Sequence, residues 1–115
     1  MIAETIDHVQ FAQYIAGDKP VLVDFWAPWC TYCRRITPAF EKIAQQWEST
    51  LTAVTVNIDD QEALADEQGI EIIPTLVLYQ KGKALGRTVA PDSKAAIDQF
   101  IRETLKGADI HGQDL

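Results

Sequence analysis

The sequence predicts one α/β domain whose mixed central β-sheet is covered by helices on both faces. Two observations predict this fold class. Apolar or alternating segments typical of strands are interleaved with segments of helical spacing, in the order β-α-β-α-β-α-β-β-α. Between the last two strands lies only the short polar segment Gln80-Lys81-Gly82-Lys83, which predicts an antiparallel hairpin at one side of the sheet.

After the first strand of this order, the first half of the chain contains a helix, a second strand, which is apolar, and a long helix. Asp7 is placed to cap the first helix, which ends in the turn Gly17-Asp18-Lys19-Pro20. The strand spans about residues 21–26 and consists almost entirely of apolar side chains. The long helix then runs to about Trp47 and includes Pro38, which predicts a kink because proline lacks the N–H that the helix needs.

The second half contains a third strand, a short helix and the hairpin. The third strand, which includes Val54 and Val56, ends at Asp59-Asp60, and either aspartate can cap the short helix that follows. Gly69 ends that helix, since glycine accepts the left-handed conformation found after helix termini. The hairpin strands are predicted at residues 75–79 and 84–89.

The last helix is expected to begin after Pro91-Asp92-Ser93 and to end at Gly107. Its apolar side chains recur at helical spacing and form one face that can pack on the sheet. They are Ile97, Phe100, Ile101 and Leu105. The domain therefore spans residues 1–107, and residues 108–115 are expected to form a flexible tail.

Composition limits the classes of function. A chain of 115 residues with 47% hydrophobic residues is long enough to bury one core. A formal net charge of −7 argues against a nucleic-acid binder or a protein of anionic membrane surfaces, both of which need clustered Lys and Arg. The N-terminal segment has no basic start and no apolar core of a secretion signal, and no apolar run can span a bilayer, so we expect a cytoplasmic location.

The two cysteines lie in the segment Trp26-Ala27-Pro28-Trp29-Cys30-Thr31-Tyr32-Cys33, at the junction of the apolar strand and the long helix. A separation of three residues places both side chains on one helical face, where a reversible disulfide is possible. Unpaired N–H groups and the helix dipole favour an anion at the helix start, so the Cys30 thiolate is expected to be stabilised. Cys30 is then the nucleophile and Cys33 the resolving thiol.

Other interpretations of the cysteine pair remain. A zinc site would need four ligands, whereas this pair supplies two, and His8 and His111 are distant in sequence, so no metal is expected. A purely stabilising disulfide is disfavoured because the loop it closes is very small. Two buried thiols that never react are a further alternative.

Asp24 is the one ionisable residue in the apolar strand. If the side chain is buried, desolvation raises its pKa, and it becomes a candidate to receive the proton of Cys33. The alternative is an aspartate near a strand end that hydrogen-bonds a backbone amide.

The segment from Val21 to Cys33, together with Ile73-Pro74-Thr75, resembles the thioredoxin family, and the resemblance covers about residues 1–106. It implies the thioredoxin fold, a buried acid at Asp24, and a cis-proline loop at Pro74 that faces the dithiol. It also implies a monomeric enzyme that reduces protein disulfides through Cys30 and Cys33, without a bound cofactor, and that is recycled by an NADPH-dependent thioredoxin reductase.

Substrate contacts are expected next to the dithiol. Trp29, Ile73 and Val89 are predicted to form an exposed apolar rim, to which an extended polypeptide chain can dock beside Pro74.

This sequence departs from the family pattern at several positions. Thr31-Tyr32 stand where the family usually has Gly-Pro, and Arg34 adds positive charge one turn after Cys30, so these residues are expected to tune the redox potential. Two further departures are Thr55, where a lysine near the buried acid is common, and Ala90, where glycine is usual. A more oxidising oxidase-like or isomerase-like protein and a non-catalytic binding adaptor are therefore the alternatives to a reductase.

Overall fold

The computed structural model describes residues 3–113, with side chains described for residues 3–107. Nine elements follow the predicted order. The strands are β1 (Glu4–Thr5), β2 (Val21–Trp26), β3 (Thr52–Asn57), β4 (Thr75–Gln80) and β5 (Lys83–Val89). The helices are α1 (His8–Ile15), α2 (Thr31–Gln46), α3 (Glu62–Glu67) and α4 (Lys94–Gln113).

The five strands form one mixed sheet in the order β1-β3-β2-β4-β5. β2 lies at its centre, parallel to β3 and antiparallel to β4. Its side chains are buried up to Phe25, which is why the sequence of this strand is nearly all apolar rather than alternating. The predicted hairpin is present, since β4 and β5 pair antiparallel through the turn at Lys81 and Gly82, both with positive φ.

Helices cover both faces of the sheet, as the fold class predicts. On one face α2 and α4 bury Phe40 and Ile97 against Leu22 and the neighbouring strands. On the other face α1 and α3 bury Phe11 and Leu64 against a second cluster of strand side chains. Successive side chains of a strand point to opposite faces, so β2 supplies both clusters.

The N-terminal caps are partly as predicted. Asp7 caps α1, and its carboxylate accepts a hydrogen bond from the backbone N–H of Gln10 at 2.9 Å. Ser93 caps α4 through a bond from the N–H of Ala96. The predicted cap of α3 at Asp59 or Asp60 is wrong, because the helix begins one residue later, after Gln61, whose side chain caps no N–H of this helix.

The C-terminal ends also include one correction. Gly69 follows α3 with φ +67°, as expected for a helix-ending glycine. Gly107, by contrast, does not end α4, which continues to Gln113. Glycine weakens a helix interior by only about 1 kcal/mol, so it is tolerated where the flanking residues favour helix. The predicted flexibility of residues 108–115 stays a prediction, since their side chains and residues 114–115 lie outside the described part. The predicted kink at Pro38, which lies inside α2, also stays a prediction.

Within residues 3–113, none of the helices combines the length and the apolar character needed to cross a lipid bilayer.

Candidate redox site

The two cysteines occupy the first turn of α2, immediately beyond the central strand. Cys30 is the N-cap residue of the helix, and a backbone bond from its N–H to the carbonyl of Ala27 holds the turn after β2. Cys30 and Cys33 form a disulfide with a Cα–Cα distance of 5.3 Å. Their exposures differ, because Cys30 is 9% exposed and Cys33 only 1%. Both cysteines are thus buried, and Cys30 is the less deeply buried of the two.

The backbone at the start of the helix provides a donor to Cys30. The N–H of Cys33 points to the Sγ atom of Cys30 at 3.1 Å, so sulfur takes the place of the oxygen that usually caps a helix. The first N–H groups of a helix have no intrahelical partner and carry the positive end of its dipole. In the reduced protein this arrangement stabilises a negative charge on Cys30 relative to the neutral thiol.

Asp24 is buried within β2, as the sequence led us to expect if its side chain faces the core. Burial raises its pKa from 3.8 to about 7, because the charged carboxylate is poorly solvated there. Its Oδ1 atom has no hydrogen-bond partner among the described residues, so no backbone amide of that part of the chain donates to this oxygen. The β3 residue opposite it is Thr55, which supplies no positive charge.

A cavity of about 170 Å³ lies beside Asp24. Asp24, Trp26, Thr55 and the exposed Arg34 contribute to its lining. The indole N–H of Trp26 is also buried without a partner among the described residues. Arg34 thus borders the cavity of the buried acid, a neighbourhood that its position one turn after Cys30 did not reveal.

The loop that contains Pro74 contacts the cysteine pair. The Ile73–Pro74 peptide bond is cis, as the family resemblance implies. The carbonyl oxygen of Ile73 lies 4.0 Å from the Cys30 sulfur, and the Ile73 side chain packs against the two cysteines and Ala27.

Exposed apolar side chains surround this loop and the dithiol. Trp29 is 66% exposed and Val89 48% exposed, whereas Ile73 is half-buried. Sequence reasoning missed Ile72, which is 59% exposed and precedes Ile73 directly. The sequence feature that could have indicated this residue is an isoleucine in a loop, two residues before Pro74. It also missed Asp59, which accepts a hydrogen bond from the Trp29 indole at 3.2 Å and so orients that ring.

The residues between the cysteines differ in their contacts. Thr31 is exposed. Tyr32 is half-buried, and its hydroxyl donates to the carbonyl oxygen of Pro91 at 3.0 Å. Their expected influence on the redox potential stays a prediction.

Among the side chains of residues 3–107, no three or more of His, Cys, Asp and Glu are grouped so as to hold a metal ion. The disulfide of this site can exchange two electrons with a dithiol.

A disulfide on the first turn of a helix, with one cysteine less deeply buried than the other and a buried aspartate in the adjoining strand, defines the site of a thiol–disulfide oxidoreductase. Comparisons with known proteins give the same class. The protein-family model for thioredoxin matches residues 3–103. Thioredoxin 1 of Nostoc sp. is 37% identical over 103 residues, which cover 90% of this chain and 96% of that protein.

Two further relatives agree. The bifunctional thioredoxin reductase/thioredoxin of Mycobacterium leprae is 38% identical over 94 residues, which cover 82% of this chain and 20% of that protein. The crystal structure of Malassezia sympodialis thioredoxin, Mala s 13, superposes with a TM-score of 0.81 at 32% identity and covers 90% of each chain. The chain belongs to the thioredoxin family. It is a disulfide reductase of the thiol–disulfide oxidoreductase class.

Proposed function

We propose that Cys30 is the nucleophile that attacks protein disulfides and that Cys33 resolves the intermediate. The observation that carries this assignment is the difference in burial, since Cys30 is less deeply buried than Cys33 and its sulfur accepts the N–H of Cys33. A thiolate at this position is both accessible and stabilised, whereas Cys33 is shielded until Cys30 has reacted.

The reaction proceeds in two exchanges. The Cys30 thiolate attacks one sulfur of the substrate disulfide, forming a mixed disulfide and releasing the other substrate sulfur as a thiolate, which takes a proton from solvent. Cys33 then gives its proton to the Asp24 carboxylate, and its thiolate attacks the Cys30 sulfur. The second substrate sulfur leaves, and two electrons have passed from the dithiol to the substrate.

Asp24 is suited to that proton transfer. A carboxyl whose pKa is about 7 accepts and returns a proton near neutral pH, which an ordinary aspartate with its pKa near 3.8 does poorly. Trp26 lines the cavity together with Asp24 and also packs against the two cysteines, which supports a role of Asp24 in the second exchange.

Trp29, Ile73, Pro74 and Val89 form the docking surface for substrate in this proposal. Trp29 and Val89 are exposed, whereas Ile73 is half-buried and Pro74 is buried. The exposed side chains and the Ile73 carbonyl, 4.0 Å from the Cys30 sulfur, support contact with an extended polypeptide. Ile72 extends the same apolar surface. Thr31, Tyr32 and Arg34 remain candidates for redox tuning.

The oxidised protein has to be recharged by a donor of two electrons and two protons. We infer an NADPH-dependent thioredoxin reductase in the cytoplasm, acting on a monomer. Support for the reductase comes from the Mycobacterium leprae relative, whose name joins the two activities in one protein.

Single cysteine variants test these roles. Reduced Cys33→Ser is expected to accumulate a mixed disulfide with insulin through Cys30, because the resolving thiol is missing, and Cys30→Ser is expected to form almost none. Mass spectrometry of the alkylated mixture measures both adducts. Equal trapping by the two variants would contradict the assignment of nucleophile and resolving thiol.

A further inference from the structure

Tyr32 lies between the two cysteines and connects the redox site to a segment 59 residues away in sequence. Its ring packs both against the cysteine cluster and against the core beneath α2 and α4. Its hydroxyl donates to the Pro91 carbonyl at 3.0 Å. Because the ring is held by packing on two sides, the hydroxyl is fixed in direction and the bond needs little additional ordering.

The bond anchors a short segment at the edge of the docking surface. Val89 ends β5, the edge strand of the sheet, and exposes about half of its side chain. Ala90 follows with φ +47° and donates its N–H to the Pro74 carbonyl at 2.8 Å. Pro91 is buried, and its carbonyl is the only polar main-chain group it has. The Tyr32 hydroxyl donates a hydrogen bond to that carbonyl.

These contacts form a closed path that includes the dithiol. From the Cys30 sulfur the path leads to the Ile73 carbonyl at 4.0 Å and along the chain to Pro74. It crosses to Ala90 through the 2.8 Å hydrogen bond and returns from the next residue, Pro91, through Tyr32 to the cysteines. In such a closed path each contact limits the motion of the residues that make the others. Loss of one hydrogen bond therefore loosens the segment Val89–Pro91.

We propose that the Tyr32 hydroxyl is a positioning group that holds Val89–Pro91 against the dithiol and thereby sets the affinity for protein disulfides. This inference rests on the proposed function. A polypeptide substrate contacts the rim on both sides of the reacting sulfur, and therefore gains from a rim that is already ordered. A small disulfide contacts little beyond the sulfurs and gains nothing from it.

Tyr32→Phe tests the proposal, because it removes the hydroxyl and keeps the ring. Tyr14→Phe is the matched control, since Tyr14 also donates its hydroxyl to a partner, Glu4, but lies on α1. Each reduced protein is mixed with insulin or with hydroxyethyl disulfide, and the oxidation rate of its dithiol is measured against substrate concentration. Equilibration with glutathione gives the redox equilibrium constant, and NMR hydrogen exchange follows the Ala90 amide.

In Tyr32→Phe the half-saturating insulin concentration is expected to rise by about three- to tenfold, the range for one lost hydrogen bond. The Ala90 amide should exchange faster by about the same factor. The maximal rate with insulin, the rate with hydroxyethyl disulfide and the glutathione equilibrium should all stay within about twofold of wild type. Tyr14→Phe should change none of these quantities.

An unchanged insulin dependence would overturn the proposal, even if Ala90 exchanged faster, because the bond would then be purely structural. Equal losses with both disulfides, or a shifted glutathione equilibrium, would also overturn it and would assign Tyr32 to redox tuning instead. Wild-type protein that oxidises with neither disulfide would overturn the proposed function itself.

Discussion

At the scale of single residues, Asp24 couples the chemistry of the site to the stability of the fold. A raised carboxyl pKa means that the folded state binds the proton more tightly than the unfolded chain does. The stability contributed by the protonated form is therefore lost as pH rises from about 4 to about 7, and above that range the folded protein contains a buried carboxylate.

Replacing Asp24 with Asn removes the free-energy cost of burying a charged carboxylate. We expect the stability advantage of Asp24→Asn over wild type to grow by about 3 kcal/mol between about pH 5 and about pH 8, and to level off above about pH 7. Urea unfolding of the oxidised proteins at a series of pH values measures the difference. Asp66→Asn, at an exposed position of α3, is the control and should show no such trend. A pH-independent difference for Asp24→Asn would contradict the raised pKa.

The backbone conformation of Ala90 also lowers the stability of the folded state. Its φ of +47° lies in the left-handed region, which costs a residue with a Cβ atom about 1–2 kcal/mol. Glycine avoids that cost but gives the unfolded chain more entropy, so Ala90→Gly should stabilise the protein by roughly 0.5–1 kcal/mol. Urea unfolding measures this change.

The same substitution in a helix should have the opposite sign. Ala12→Gly, at an exposed position of α1, is expected to destabilise the protein by about 1 kcal/mol. If Ala90→Gly destabilised the protein as much as Ala12→Gly, the left-handed conformation at residue 90 would carry no strain.

At the scale of elements, one carboxylate connects the redox helix to the last helix. Asp98 of α4 accepts hydrogen bonds from the indole of Trp47 at 2.9 Å and from the side-chain amide of Gln46 at 3.0 Å. Arg102, one turn further along α4, bonds the same carboxylate at 2.7 Å and holds the pKa of Asp98 below its usual value. The guanidinium of Arg102 also lies 5.2 Å from the centre of the Trp47 ring.

We expect Asp98→Ala to destabilise the protein by about 1–2 kcal/mol, because the half-buried indole N–H of Trp47 loses its acceptor. Asp66→Ala, which removes an exposed carboxylate from α3, should stay within about 0.5 kcal/mol of wild type. Unfolding in urea measures both variants at neutral pH. Equal effects of the two substitutions would show that the bonds to Asp98 do not fasten the helices together.

The elements themselves were largely predictable, because each strand and helix has a local signature. The alternation of Val54 and Val56 indicated β3, and the helical spacing of Ile97 and Ile101 indicated α4. The prediction for the end of α4 was wrong because a glycine signal at Gly107 is weak beside helix-favouring neighbours.

Long-range contacts were not predictable from the sequence. Cys30, Cys33 and Asp24 lie within one short motif, so their candidate roles could be proposed from the local pattern. Asp59 bonds Trp29 from 30 residues away, and Tyr32 reaches Pro91 across 59 residues. Only the register and packing of the folded sheet bring such pairs together, and no residue pattern near either partner records them.

At the scale of the whole molecule, the fold gathers three separate segments around one sulfur. β2 and α2 hold the dithiol at the start of the helix, the loop at Pro74 places a carbonyl 4.0 Å from the Cys30 sulfur, and the end of β5 supplies the exposed Val89. We expect this assembly to make the Cys30 thiol more acidic than a cysteine in an unfolded chain. The local cause is the helix start, where the N–H of Cys33 meets the sulfur.

The most direct test is the rate of alkylation of the reduced protein by iodoacetamide, measured against pH in the native state and in concentrated urea. Native Cys30 is expected to show an apparent pKa below the value of about 8.5 that unfolded cysteine shows, and urea should restore that higher value. Cys33, buried in the native state, should react slowly. A Cys30 pKa that is the same in the native protein and in urea would contradict the account.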